Sequence, residues 1–173
     1  SLPCLALAQD EKIEPSAPTA EEAAPAEAKE PTLTDHLAEV DALYTKREAG
    51  YGGKNWQAHY NKLQALDKVH PNNFEILWRI SRAYFWKSEE APSDDAKILL
   101  GKKGWSYGDR AAAINSQRIE GHYFGALGVG TYSEGISILS ALAKGLGGKF
   151  NDRLDKALKM DGTFDIGGPY NSA

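Results

Sequence analysis

Apolar residues in this chain recur at the spacing of one helical face, broken by short polar turns. Leu37, Val40, Leu43 and Tyr44 share such a face behind Thr32 and Thr34, two candidate N-caps, and Gly50, Gly52 and Gly53 stop the run. A second helix is expected from Asn55 to Val69, closed by His70-Pro71-Asn72-Asn73, and a third from Phe74 to Lys87. Pro92 and Ser93 mark the next turn. Helices are then expected from Asp94 to Ile114 and Gln117 to Leu127, followed by apolar segments Ile136–Leu146 and Phe150–Met160. No stretch sustains a period of two, and no hairpin dipeptide separates such stretches, so the expected fold class is all-α.

Laid against itself, the chain suggests a 46-residue period. Ala65, Ala111 and Ala157 form one column; Ala58, Gly104 and Phe150 form a second, seven residues earlier; Trp78, Phe124 and Tyr170 form a third. A small residue lets neighbouring helices approach, and an aromatic from the next helix fills the volume beyond. Each unit then leaves an apolar face for its neighbour to cover, so the expectation is helical hairpins stacked as a solenoid.

The late-helix alanine, the turn with Pro71 and the following ILWRISRAYF resemble a tetratricopeptide repeat. That family places two small residues seven apart on its second helix, then a proline, then a Trp-led helix. Ala58 and Ala65 fit the spacing, as do Gly104 and Ala111; Phe150 departs from it, and Ser116 and Gly162 stand where proline is usual. The period also exceeds the family's usual one, and HEAT-type repeats are the competing architecture. More narrowly, LWRISRAYF and EGHYFGALG resemble divergent repeats of the regulator-of-microtubule-dynamics type, and also the periplasmic T-components associated with TRAP transporters. The resemblance spans residues 34 to 173. It implies a helical binding protein, with a transporter-associated small-ligand receptor as the alternative.

Composition divides the chain. Residues 9–31 hold seven acids against Lys12 and Lys29, with four prolines and no aromatic residue, so they are expected to form a disordered acidic linker. The overall net charge of -4 comes from that segment. The rest is nearly neutral and lacks the basic excess of a nucleic-acid binder. No apolar run reaches the roughly 20 residues of a membrane span. Residues 1–8, SLPCLALA, resemble the end of a secretion signal with Ala6-Leu7-Ala8 at the cleavage site, which implies a periplasmic or secreted bacterial protein. Residues 32–173 are expected to be the repeat domain. Its last helix begins at Phe164–Tyr170 without a polar cap, an expectation of a chain cut short.

Catalytic and metal motifs are missing from the sequence. His36, His59, His70 and His122 lack metal-ligand spacing, Cys4 is the single cysteine, and Gly121, Gly125, Gly128 and Gly130 do not fit a phosphate loop; close packing of helices explains Gly125 and Gly128 better, with Gly130 near a helix end. A non-enzyme without metal or cofactor is expected. Binding falls to a concave surface lined by Arg79, Arg82, Trp86, Trp105, Tyr107, Arg110, His122 and Tyr123, suited to a protein partner, a peptide or a small carboxylate.

Overall fold

A computed structural model describes residues 30–46, 53–161 and 164. Every described helix belongs to the unit Pro31–Ala173. The expected signal remnant, nearly all of the acidic linker, Tyr170 and most of the last helix lie outside the described residues.

Seven helices are described: α1 (Leu33–Thr45), α2 (Lys54–Val69), α3 (Phe74–Ser88), α4 (Asp94–Ile114), α5 (Ile119–Gly135), α6 (Ile138–Ala143) and α7 (Leu146–Met160). No strand occurs among the described residues. Their starts follow from capping chemistry. Of the two threonines at α1, Thr32 is the cap: its hydroxyl accepts from the Asp35 amide while the Asp35 carboxylate accepts from the Thr32 amide. The Asn73 side chain accepts from the Glu75 and Ile76 amides, and the Ser93 hydroxyl from that of Ala96. Asp94 and Asp95 then place negative charge at the positive end of α4.

Two boundaries differ from the sequence expectation. α5 passes Leu127 and continues to Gly135, because glycines that weaken an isolated helix are here packing surface. A β-carbon on Gly108 would lie 2.4 Å from the Gly125 α-carbon, one on Gly128 would lie 2.2 Å from the Trp105 amide nitrogen, and one on Gly121 2.5 Å from that of Ala112. α4 and α5 thus touch backbone to backbone along a shared glycine seam. The apolar segment Ile136–Leu146 is also not one helix. Gly145 takes a left-handed φ of 60°, ending α6 and opening α7, and α7 starts at Leu146 ahead of the expected Phe150.

α5 is the most enclosed helix, packed by α3, α4 and α7. Trp78 and Phe124 stack with ring centroids 5.8 Å apart and planes at 10°, and Phe164 meets the edges of Tyr123 and Phe124. The alanine column is uneven. Ala111 and Ala157 are fully buried, whereas Ala65 and Ala58 are exposed. Leu66 is the buried residue at the matching place: its carbonyl accepts the C-cap amide of His70, as Ala111 accepts from Asn115 and Ala157 from Asp161. The register of the first helix end is therefore one residue away from the column drawn at 46.

Candidate functional site

The arginines expected to face a ligand are already spoken for. Arg79 carries one nitrogen to Asp41 at 2.6 Å and another to Glu75 at 2.8 Å, while Arg82 reaches Asp41 at 3.1 Å. Arg118 pairs with Glu75 at 3.1 Å and also with Glu120. Arg82, Asp41, Arg79, Glu75, Arg118 and Glu120 thus alternate in sign as a neutral ladder from α1 across α3 to α5. Aromatic faces close its buried end. The Arg82 guanidinium sits 3.6 Å over the Tyr44 ring and 4.8 Å from that of Trp78, and Arg79 lies 4.2 Å over Trp78.

Titration follows this geometry. Burial pushes the Asp41 carboxyl up, but hydrogen bonds and charge from Arg79 and Arg82 outweigh it and leave the group below the ordinary carboxylate range. Glu75 is lowered in the same way, burial being overcome by hydrogen bonds from Trp78 and Arg79 and by the charge of Arg118. Arg79, with two carboxylates, is held above the ordinary arginine value against its own burial, whereas burial wins at Arg82, which has only Asp41.

The other expected ligand contacts are scattered. Tyr123 is buried in the core, and His122 is buried with its Nε2 3.1 Å from the Ser116 carbonyl. Both belong to packing, since α5 is enclosed on most sides. Arg82 is likewise buried rather than presented. The half-buried Trp105 donates its indole N–H to Asp109 at 2.7 Å, and Asp109 also pairs with Arg153. Tyr107 stacks on Tyr84 and donates to Asp67 at 3.1 Å, with Arg110 beside it, 4.9 Å from its ring. Trp86 is half-buried against Phe85. These eight residues do not line one surface: Arg79 and Arg82 belong to the ladder, Trp105 to a cluster with Tyr132, and Tyr107 and Arg110 to the α2–α4 side.

One concave apolar surface is present that the sequence expectation did not include. α5, α6 and α7 enclose a cleft of about 510 Å³ lined by Gly130, Ile138, Leu142, Leu146, Phe150 and their neighbours. Ile138, Leu139 and Leu142 on α6 are 80%, 77% and 72% exposed, although such residues are ordinarily buried. The sequence signal was the three large apolar residues within ILSALA. Apolar patterning reports that a face seeks cover, and does not say whether the chain itself provides it.

Among the described residues no three His, Cys, Asp or Glu side chains gather as metal ligands, and no helix is long and apolar enough to cross a membrane. Residues 36–164 match the family model described as Regulator of microtubule dynamics protein 1-3. The chain belongs to this family. No curated protein matches it. The ladder, the glycine seam and the cleft all lie within the segment shared with the regulator-of-microtubule-dynamics family.

Proposed function

We propose that this member of the family is a non-catalytic helical-repeat scaffold or adaptor, of tetratricopeptide-like build, that binds a protein partner in the bacterial cell envelope. The carrying observation is the α5–α6–α7 cleft with its exposed Ile138, Leu139 and Leu142. An apolar patch left uncovered on a folded chain marks an interaction surface. A grooved one suits an amphipathic helix laid into it. The repeat part of the reading is supported by the full burial of Ala111 and Ala157 near the ends of α4 and α7 and by the packing of α3 on α5 past α4. The envelope part is supported by the signal-like Ala6-Leu7-Ala8 alone. The non-catalytic part is supported by histidines engaged with backbone carbonyls: His59 Nδ1 is 2.9 Å from that of Val40, as His122 is bonded to Ser116.

A photoreactive side chain in place of Leu142, introduced in the native host, tests the site. The expected result is a discrete protein adduct from position 142 and none from position 99, an exposed leucine on α4. Adducts from the ladder side with none from position 142 would overturn it.

A small-ligand receptor, as in the T-component resemblance, is the second reading. It is favoured by the cleft volume, which lies within the roughly 300–1,000 Å³ of small-molecule sites. Saturable binding of an apolar fluorescent probe, lost on Phe150→Ala and undisturbed by any protein partner, would select it.

A further inference from the structure

We infer that Lys102, Lys144 and Lys149, gathered around the Tyr132 hydroxyl and the Trp105 ring, form a binding site for a phosphate monoester dianion. The site is independent of the apolar cleft, since none of these five residues lines it.

The three lysines come from separate elements: Lys102 from α4, Lys144 from the C-cap of α6 and Lys149 from the first turn of α7. Packing of Trp105 and Tyr132 in one cluster with Leu146 and Phe150 brings them together. Lys144 donates to the Tyr132 hydroxyl at 3.0 Å, and Lys102 Nζ is 5.2 Å from the centroid of the same ring. Lys149 Nζ lies 5.3 Å from the centroid of Trp105, whose ring is 6.1 Å from that of Tyr132. The Lys144 hydrogen bond lowers the Tyr132 phenol against its burial, and the charges of all three lysines add to the effect. The lysines are exposed and the tyrosine ring is buried, so a fixed aromatic floor carries the cations at the surface.

Other cations on this side are neutralised. Lys97 pairs with Glu134, and Arg153 forks onto both oxygens of Asp109 at 2.9 and 2.8 Å. Asp109 also accepts from the Trp105 indole at 2.7 Å, so the acid beside this ring pair is engaged. Lys102, Lys144 and Lys149 form no ion pair among the described residues. Three like charges held together without a carboxylate repel one another, and a bound anion relieves that repulsion.

The donor set selects the anion. Ammonium groups only donate hydrogen bonds, and the Tyr132 oxygen, which accepts from Lys144, keeps its own proton to donate. A ligand must therefore accept on several sides. A carboxylate has one charge and two oxygens in a plane, and is best met by the planar fork of an arginine. The fork nearby, that of Arg153, is closed on Asp109. A phosphate monoester carries about two negative charges and three acceptor oxygens, which suit ammonium groups acting as point charges.

The experiment uses the full chain and inorganic phosphate, with acetate at matched ionic strength as the comparison. Calorimetry should show phosphate binding about tenfold more tightly than acetate, and weakening as salt is raised. Bound phosphate should also delay the ionisation of Tyr132 in an alkaline titration, because a dianion beside the phenol disfavours its charged form. Lys102→Gln and Lys144→Gln should each weaken phosphate several-fold. Lys97→Gln, on the same helix as Lys102 but already paired with Glu134, should leave binding unchanged. Lys102 and Lys144 are exposed, and unchanged circular dichroism confirms that their variants fold. A second arm titrates phosphatidylcholine vesicles doped with phosphatidic acid. Binding of free phosphate identifies a soluble ligand; lysine-dependent binding of the vesicles alone identifies a headgroup bearing the same group. Phosphate no tighter than acetate together with unbound vesicles, or binding in either arm that survives both lysine substitutions, overturns the site.

Discussion

Gly108 on α4 and Gly125 on α5 meet so closely that a β-carbon on Gly108 would fall 2.4 Å from the Gly125 α-carbon. That approach, repeated at Gly121 and Gly128, sets the distance between the two helices and so the position of everything α5 carries. Backbone cannot swing aside as a flexible side-chain end can. Gly108→Ala and Gly128→Ala should each cost about 1–3 kcal/mol or more, as overpacking does in a filled core. Gly147 offers the contrast: it is helical, and an added β-carbon meets nothing within 4 Å. Gly147→Ala should stabilise by roughly 0.5–1 kcal/mol. Urea denaturation of the three variants checks both signs.

Asp41 holds Arg79 and Arg82 together, so Asp41→Asn leaves the buried Arg82 cation without its carboxylate. Removing one member of a fully buried pair costs about 3–5 kcal/mol. The Asp41 side chain is 40% exposed, so solvent should screen this to about 1–3 kcal/mol. Arg79→Lys should also destabilise, because an ammonium cannot fork between Asp41 and Glu75. Equilibrium unfolding of the two variants at pH 7 provides the measurement.

Asp41 and Glu75 are both lowered in the fold, with burial opposing the arginine contacts and losing. Their contribution is therefore complete above the unfolded carboxylate values near pH 4 and is lost as pH falls through the lower folded values. Stability should decline steadily below about pH 4. In Asp41→Asn that decline should be shallower, because one linked proton is gone. A urea midpoint that stayed level from pH 5 to pH 2 would contradict the ladder.

Tyrosines should ionise in an order set by their neighbours. The Lys144 hydrogen bond, with Lys102 and Lys149 nearby, lowers Tyr132, whereas burial and the hydroxyl of Tyr60, 3.0 Å away, raise Tyr84 far above the ordinary value. Burial and the Asp67 carboxylate raise Tyr107 as well. Phenolate absorbance during an alkaline titration should show an early component that Tyr132→Phe removes. Tyr84 and Tyr107 favour the fold fully below the unfolded tyrosine value near pH 10, and lose that contribution as pH rises above it. Cooperative unfolding should begin there and release the late components.

Leu139→Lys and Ile138→Lys replace side chains that the fold leaves in water. Each should change stability by less than about 0.5 kcal/mol. Trp78→Ala removes a buried ring stacked on Phe124, and should cost about 3–5 kcal/mol. Thermal unfolding of the three separates an exposed apolar surface from a core one of similar composition.

Helical periodicity, Thr32 as a cap, and the turns at His70-Pro71-Asn72-Asn73 and Pro92-Ser93 gave away the helices, because these signals act over three or four residues and are written consecutively in the chain. Acidic and basic composition was equally legible, being a sum over residues. The partners of Arg79 and Arg82 were not: Asp41 stands 38 and 41 positions from them, and only packing of α1 on α3 brings it near. The same distance problem hid which helix the α5 glycines pack on: their spacing points to close packing, and only the fold shows that α4 is the surface they meet. It also put Ala65 in a column whose buried member is Leu66, since one residue turns a helix by about 100° and a shared interval cannot say which face is inside. What the sequence determined by itself was local: where helices start, how they are capped, and that apolar faces need cover. Which faces obtain that cover, which arginines are neutralised, and that Ile138, Leu139 and Leu142 are left open were decided by tertiary structure, because burial and charge pairing depend on distances that only the packed chain sets.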